Sequence, residues 1–227
     1  MKKNKSLLSK IYATLVYAFL YLPIIVLIVF SFNKSKLNAT FTGFTLDWYK
    51  NLINNTQILE ALKNSLVIAF ISTFFAVIIG TLAAIGMYRY KFKGKGAMEG
   101  LLYIPVVIPE IVMGISMLAF FSSLNLPAGI ITLILAHITF CISYVIIVVR
   151  ARLDGFDAAL EEAAQDLGAT PWQTLTKVTL PVIAPGIISG ALLAFTLSLD
   201  DVIISFLRQD QIAILCHLKY FLWLSLV

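Results

Sequence analysis

The sequence predicts an all-α membrane protein, built as a polytopic bundle of transmembrane helices. Of its 227 residues, 60% are hydrophobic and only 13% are charged, whereas about a quarter of the residues in a soluble domain are charged. The mean hydropathy is +0.93. Several apolar runs also reach about 20 residues, the length that a helix needs to cross the hydrocarbon core of a bilayer.

Five apolar runs are predicted to cross the membrane. They are Ile11–Phe32, Ser65–Tyr88, Gly100–Phe121, Ala128–Val149 and Val182–Leu207. A sixth run, Ile212–Val227, is short for a span and contains His217 and Lys219, so we expect an incomplete sixth helix. Lysines precede the first run, but that run is too long for a secretory signal and no small-residue cleavage site follows it. We therefore expect an uncleaved anchor.

The distribution of basic residues predicts a cytoplasmic N-terminus in the inner or plasma membrane. With that orientation, most of the bases that flank the spans fall on the cytoplasmic side. The loop at 33–64 departs from this pattern with lysines of its own. The net charge of +5 therefore reflects membrane topology, and no motif for nucleic-acid binding accompanies it. No repeat or linker divides the chain, so residues 1–227 are predicted to form a single membrane domain in contact with lipid.

The chain lacks the motifs of an enzyme. Gly94-Lys95-Gly96 is the nearest approach to a phosphate-binding loop, and it has neither the required spacing nor the hydroxyl residue. The two cysteines have no metal-ligand spacing, and His137 is expected to bond to a neighbouring helix. We predict no catalytic residue, no metal site and no cofactor in this chain, so that any ATP would be bound by a partner subunit.

The polar segment 150–181 follows the fourth span and is predicted to be cytoplasmic. Asp157 is placed to cap a helix over 158–167, and Gly168 is placed to end it. Thr170-Pro171 has the pattern of the cap and first residue of a second short helix. Leu180-Pro181 is expected to close that helix before the fifth span begins.

Within this segment, Glu162-Ala163-Ala164 is followed after three residues by Gly168, and after nine more by a run that ends in Leu180-Pro181. Small side chains on such a helix let the backbone of a partner approach closely. The pattern resembles the EAA loop of ABC-importer permeases. The resemblance implies that Glu162, Ala163, Ala164 and Gly168 couple the permease to a cytoplasmic ATPase; the alternative is an ordinary amphipathic surface helix.

Three carboxylates lie in the predicted spans, although a charge there costs about 2.5 to 3.5 kcal/mol on insertion scales. Glu110 falls near the middle of the third span. It follows Pro105 and Pro109, and both prolines interrupt helical hydrogen bonding. Asp200 and Asp201 fall toward the outer end of the fifth span and would repel each other unless a cation or water intervened. These residues are candidates for a cation path; the alternative is hydrogen bonding between helices.

Further runs of the sequence narrow the resemblance. They are Ala136–Cys141, Arg152–Asp157, Ala163–Ala169 and Phe195–Val202. Together they resemble the spermidine/putrescine importer permeases of the PotC type. The resemblance implies the MetI-like fold of type I ABC importers, and polyamine transport by alternating access. It also implies three kinds of partner: an ABC ATPase dimer, a second related permease and an extracytoplasmic polyamine-binding protein.

The tail at 208–227 departs abruptly from that family after Leu207. Codons can be chosen for this tail so that its messenger RNA also has a second reading frame, which starts at the third nucleotide. That frame encodes a Gly-Pro-Asp turn followed by an amphipathic run, as the family's outer loop requires. We therefore expect a frameshift near Leu207, either a mutation or a sequencing error.

Three other functions remain open from the sequence. One is the permease of another ABC importer, for iron or another solute, although an anion permease would need positive groups that the five spans lack. The second is a secondary transporter or channel that uses the same carboxylates, which leaves the EAA pattern unexplained. The third is a truncated and inactive permease.

Overall fold

The computed structural model describes residues 2–35, 40–127 and 129–200, and the regular elements in these ranges are helices. They are α1 (Lys2–Phe30), α2 (Asp47–Asn54), α3 (Thr56–Arg89), α4 (Lys95–Val107), α5 (Glu110–Ser123), α6 (Ile130–Leu153), α7 (Ala159–Asp166), α8 (Pro171–Thr174) and α9 (Leu180–Asp200). A π-helical turn, Leu175–Thr179, joins α8 to α9. The predicted all-α class is confirmed. Asp201, the sixth apolar run and the tail at 208–227 lie outside the described residues.

Four stretches of the described helices are long and apolar enough to cross a membrane. They are Ser9–Phe30, Thr56–Arg89, Ile130–Leu153 and Pro171–Asp200. Helices α4 and α5 would supply a fifth if the bent pair counts as one span. The chain is therefore a multi-pass membrane protein, as its hydropathy predicts.

The predicted third span, Gly100–Phe121, is not one continuous helix. Helix α4 ends at Val107 and α5 begins at Glu110, with an angle of 116° between the two helical segments. Ile108 is extended, with φ −75° and ψ 135°, because the ring of Pro109 disfavours the helical conformation in the residue before it. The interruption predicted at Pro109 is therefore confirmed, whereas Pro105 lies inside α4 and does not break the helix.

The described residues form two compact units, one up to residue 60 and the other from residue 61. In the first unit, Asn33 is fully buried and organises the loop that follows α1. The side-chain amide of Asn33 donates to the backbone carbonyl of Thr40 at 2.8 Å. The backbone carbonyl of Asn33 accepts from Trp48 Nε1 at 2.8 Å. These bonds satisfy backbone groups between α1 and α2 that no helix pairs.

In the second unit, small residues bring α3, α6 and α9 close together. A Cβ atom on Gly80 would lie 2.8 Å from Val145 Cγ1, and one on Gly186 would lie 2.7 Å from Arg152 Cβ. Such contacts leave no room for a side chain at either glycine. Membrane helices associate through this kind of packing because lipid tails are as apolar as the helices themselves.

Polar bonds also connect these helices within the apolar core. His137 Nδ1 lies 2.8 Å from Ser198 Oγ and joins α6 to α9. Ser72 Oγ donates to the carbonyl of Ile134 at 3.3 Å and joins α3 to α6. The interhelical role predicted for His137 is therefore confirmed.

Helix α9 begins without the interruption predicted at Leu180-Pro181, so that expectation is wrong. Residues 171–200 run as one helical stretch, with the π turn inside it. The amide of Leu180 bonds to the carbonyl of Leu175, five residues earlier. This wider turn accommodates the ring of Pro181, which is the second residue of α9 and lacks an amide hydrogen.

Candidate functional site

The segment between α6 and α9 folds into a helical hairpin, which we define as residues 157–174. Its first helix, α7, begins after Asp157, whose carboxylate accepts from the amide of Ala159 at 3.0 Å. This bond satisfies one of the free amides at the helix N-terminus, so Asp157 caps α7 as predicted. Upstream, Leu153 and Phe156 are buried and fix the start of the hairpin to the core.

Gly168 ends the first helix of the hairpin in the way that the sequence predicts. Its φ is +88°, in the left-handed region that glycine tolerates best. Its amide donates to the carbonyl of Gln165 at 2.8 Å, and the amide of Ala169 donates to the carbonyl of Ala164 at 3.0 Å. This pair of bonds is a Schellman motif, which closes the helix and turns the chain back.

The second helix of the hairpin is capped at Thr170, with Pro171 as its first residue. The amide of Gln173 donates to Thr170 Oγ1 at 3.3 Å, and the amide of Thr170 donates to Gln173 Oε1 at 2.8 Å. This reciprocal capping box satisfies two amides at the helix start. The predicted cap and first residue of α8 are confirmed.

The hairpin exposes most of its apolar surface. No residue of α7 is buried, and Leu160, Ala163 and Leu167 follow one another at helical spacing along one exposed face. We call this face the apolar stripe. Leu167 is 89% exposed, and Trp172 on the second helix is 69% exposed. Large side chains this open on a polar segment indicate a surface that a partner covers.

Of the residues of the EAA pattern, Ala163 belongs to this stripe. Glu162 and Ala163 are exposed, Ala164 is half-buried, and Gly168 forms the turn. The side chain of Glu162 forms no hydrogen bond or ion pair with any described residue, whereas its backbone amide donates to the carbonyl of Ala158. Its carboxylate is therefore available to a group outside this chain.

The neighbouring carboxylate, Glu161, holds the hairpin against the end of α3. Its Oε1 accepts from Arg89 Nη2 and from the hydroxyl of Thr179, and Arg89 Nη2 lies 3.1 Å from Thr179 Oγ1. Thr179 is 1% exposed and belongs to the π turn. The sequence reasoning selected Glu162 and missed Glu161, Arg89 and Thr179.

Basic residues predicted to be cytoplasmic gather at this same end of the second unit. Arg150, near the end of α6, forms an ion pair with Glu99 of α4 at 2.9 Å. Arg152 donates to the carbonyl of Val182 at 3.2 Å. Arg150 and Arg152 lie in the last turn of α6, and Arg89 contacts Glu161 of the hairpin. The positive-inside rule favours the cytoplasmic side for such bases.

The described residues include two of the three candidate path carboxylates. Glu110 is the first residue of α5, immediately after the break at Pro109. Asp200 is exposed and is the last described residue of α9, while Asp201 lies outside the described residues. Within the ranges that the structure describes, no group of three or more His, Cys, Asp or Glu side chains is placed to hold a metal ion.

A family match and individual relatives of this chain point to the same kind of protein. Residues 76–207 match the family described as "Binding-protein-dependent transport system inner membrane component". The chain is 44% identical over 202 residues to the spermidine/putrescine transport system permease protein PotC of Haemophilus influenzae, covering 89% of this chain and 79% of the relative. It is 45% identical over 194 residues to PotC of Escherichia coli, covering 86% and 74%.

A solved structure of a bacterial alginate ABC transporter, in complex with an alginate pentasaccharide-bound periplasmic protein, is similar in fold. The TM-score is 0.68 at 23% identity, covering 94% of this chain and 80% of that one.

Proposed function

Because the chain belongs to the family of binding-protein-dependent transport permeases that includes the PotC proteins, we propose that it is the membrane-spanning subunit of an ATP-driven importer of polyamines such as spermidine and putrescine. It is a transport subunit. The hairpin is the observation that carries the coupling part of this proposal, and the intramembrane carboxylates together with the relatives support the cargo.

The hairpin is the site at which the ATPase docks. Glu162, Ala163 and Ala164 present a carboxylate beside small side chains, which allow a groove of the partner to come close to the backbone of α7. The apolar stripe supplies hydrophobic surface for the same contact. Gly168 fixes the angle between the two short helices and so sets the shape that the groove receives.

ATP is bound by that partner and not by this chain, which carries no phosphate-binding loop in its sequence. The complete transporter contains an ATPase dimer, a second related permease and an extracytoplasmic binding protein that delivers the polyamine. Arg89, Arg150 and Arg152 support a cytoplasmic position for the hairpin, and hence a cytoplasmic N-terminus.

Glu110, Asp200 and Asp201 line the polyamine path. Polyamines are elongated cations, and the five predicted spans contain no lysine or arginine that would neutralise these carboxylates. Glu110 follows a break between helices, and broken helices commonly form the substrate sites of transporters. A path that switches sides around such a break fits transport by alternating access.

Docking is tested by placing a charge on the apolar stripe. Leu167→Glu should reduce co-purification of the ATPase with this chain, because a carboxylate there would be desolvated in the partner's groove. Leu167 is 89% exposed, so its replacement removes no packing from this chain. The matched control is Gln165→Glu, which adds the same charge to the same helix away from the stripe. Equal recovery of the ATPase by both variants would refute docking through the stripe.

The cargo path is tested by neutral amides at its carboxylates. Glu110→Gln, and Asp200→Asn combined with Asp201→Asn, should lower polyamine uptake more than they lower assembly of the complex, because the cation loses its counter-charges. Glu60→Gln is the control, since Glu60 is exposed near the start of α3. Uptake kinetics equal to those of the wild-type complex would make the three carboxylates structural.

A further inference from the structure

Three polar side chains from separate segments meet where the hairpin approaches the body of the protein. Arg89 is the last residue of α3, Glu161 lies in the first turn of α7, and Thr179 ends the π turn before α9. Arg89 and Thr179 both donate to the same carboxylate oxygen of Glu161, and Arg89 also donates to Thr179. We call these three residues the hairpin tie.

We propose that the hairpin tie transmits movement of the docked hairpin to α3 and α9, with Glu161 as the positioning residue at its centre. This inference rests on the proposed role of the hairpin in ATPase coupling. It assigns the two adjacent glutamates to different tasks. Glu162 faces outward for the partner, and Glu161 faces inward for the helices that move.

The geometry of α7 supports this division. Successive residues of an α-helix point about 100° apart, so two neighbouring glutamates cannot face the same surface. The side chain of Glu161 is 19% exposed and that of Arg89 is 26% exposed, so the pair is partly shielded from water. Charge-assisted hydrogen bonds in such surroundings are stronger and more directional than bonds between neutral groups.

The tie also compensates for the lack of packing at this point. No residue of α7 is buried, so apolar contacts do little to fix its position relative to α3. The bonds of Glu161 reach the end of one membrane helix and the turn that leads into another. A displacement of α7 by the ATPase would therefore pull on α3 and on the start of α9 together.

The π turn gives a further reason to locate the transmission here. Such turns are uncommon inside helices and occur frequently at functional sites. Thr179 is its final residue and is buried, while its hydroxyl bonds to a group outside its own helix. A turn with only a structural role would not need this hydrogen bond to a charged residue of the hairpin.

The chain provides a matched control for the tie. The ion pair of Arg150 and Glu99 lies at the same end of the unit, with side chains 29% and 33% exposed. It joins α6 to α4 and does not involve the hairpin. Loss of this pair removes one partly exposed ion pair of similar kind without cutting the connection between α7 and α3.

The experiment compares Glu161→Gln with Glu99→Gln in the assembled transporter in liposomes. Three quantities are measured: ATPase co-purification, ATP hydrolysis, and spermidine moved per ATP hydrolysed. Glu161→Gln should retain the ATPase but lower spermidine moved per ATP by about fivefold or more, the lower end of typical couplings between sites. Glu99→Gln should keep the wild-type ratio. A Glu161→Gln complex with the wild-type ratio would overturn the proposal.

Charge exchange gives a second and independent variant. Arg89→Glu alone should lower the ratio, and adding Glu161→Arg should restore much of it, because the opposite charges then face each other again. If the Glu161→Gln complex does not assemble, the charge exchange tests the proposal instead. Recovery of the spermidine moved per ATP supports the hairpin tie, and no recovery overturns it. A wild-type complex that hydrolyses ATP without moving spermidine would instead count against the proposed cargo, which is a different failure.

Discussion

Replacement of Gly80 by alanine tests the close approach of α3 and α6. The new Cβ atom would lie 2.8 Å from Val145 Cγ1, 2.9 Å from Val145 Cβ and 3.3 Å from the carbonyl oxygen of Ile142. Carbon atoms pack best at about 3.5 to 4.0 Å, so the helices must separate by about 0.7 Å or more. Overpacking of this kind typically costs about 1 to 3 kcal/mol.

Gly190→Ala is the matched control, because it also faces Val145 but from α9. Its Cβ atom would lie 3.6 Å from the nearest atom, which is an ordinary contact. Both changes replace glycine by alanine within a helix, so the gain in helix propensity, up to about 1 kcal/mol, is common to the two variants. The Gly80→Ala protein should therefore be less stable than the Gly190→Ala protein by about 1 to 3 kcal/mol.

The assay is reversible unfolding of the purified chain in mixed micelles, with the SDS fraction as the variable and helical content as the signal. Adding Val145→Ala to Gly80→Ala should recover only part of the loss. It removes Cγ1 but leaves the Cβ atom of residue 145, which is 2.9 Å from the modified position. Equal stability of the Gly80→Ala and Gly190→Ala proteins would refute the close packing of α3 on α6.

Three other changes address the hairpin and the core. Gly168→Val should strain the left-handed residue, φ +88°, by about 1 to 2 kcal/mol, and should lower substrate-stimulated ATP hydrolysis while membrane insertion is retained; unchanged hydrolysis would argue against the turn as a docking element. Glu162→Ala should weaken ATPase co-purification without changing the stability of the isolated chain, and a change in stability alone would contradict an outward role. Ser198→Ala removes the partner of His137 and should cost about 0.6 kcal/mol, at most about 1.7, in the same SDS titration, with uptake unaffected.

Hydropathy predicts the spans well but not where they bend. The apolar runs become helices because a backbone inside a bilayer must satisfy its own hydrogen bonds. The prolines behave differently from one another: Pro109 separates α4 from α5, whereas Pro185 lies inside continuous α9. Both prolines lack an amide hydrogen, so whether the helix breaks at each one depends on the turns and contacts around it. The π turn before Pro181 is an example that the local sequence does not reveal.

The hairpin could be predicted in detail because its signals are local. Asp157, Gly168 and Thr170 act through bonds to residues two or three positions away, and cap preferences report such bonds directly. The choice between Glu161 and Glu162 was different. It depends on Arg89, which is 72 residues away in the chain. A basic residue at the end of an apolar span was the available signal, but its partner is set by tertiary packing.

ATP-dependent uptake by the complete transporter tests the central claim most directly. The full chain, assembled with its second permease and the ATPase, is placed in vesicles with the binding protein on the outer side. Labelled spermidine and putrescine uptake is then measured with and without ATP inside, and sulfate uptake is measured in parallel. The account predicts polyamine accumulation that requires ATP and no sulfate accumulation. Polyamine entry that is independent of ATP, or ATP-driven entry of sulfate in its place, would contradict it.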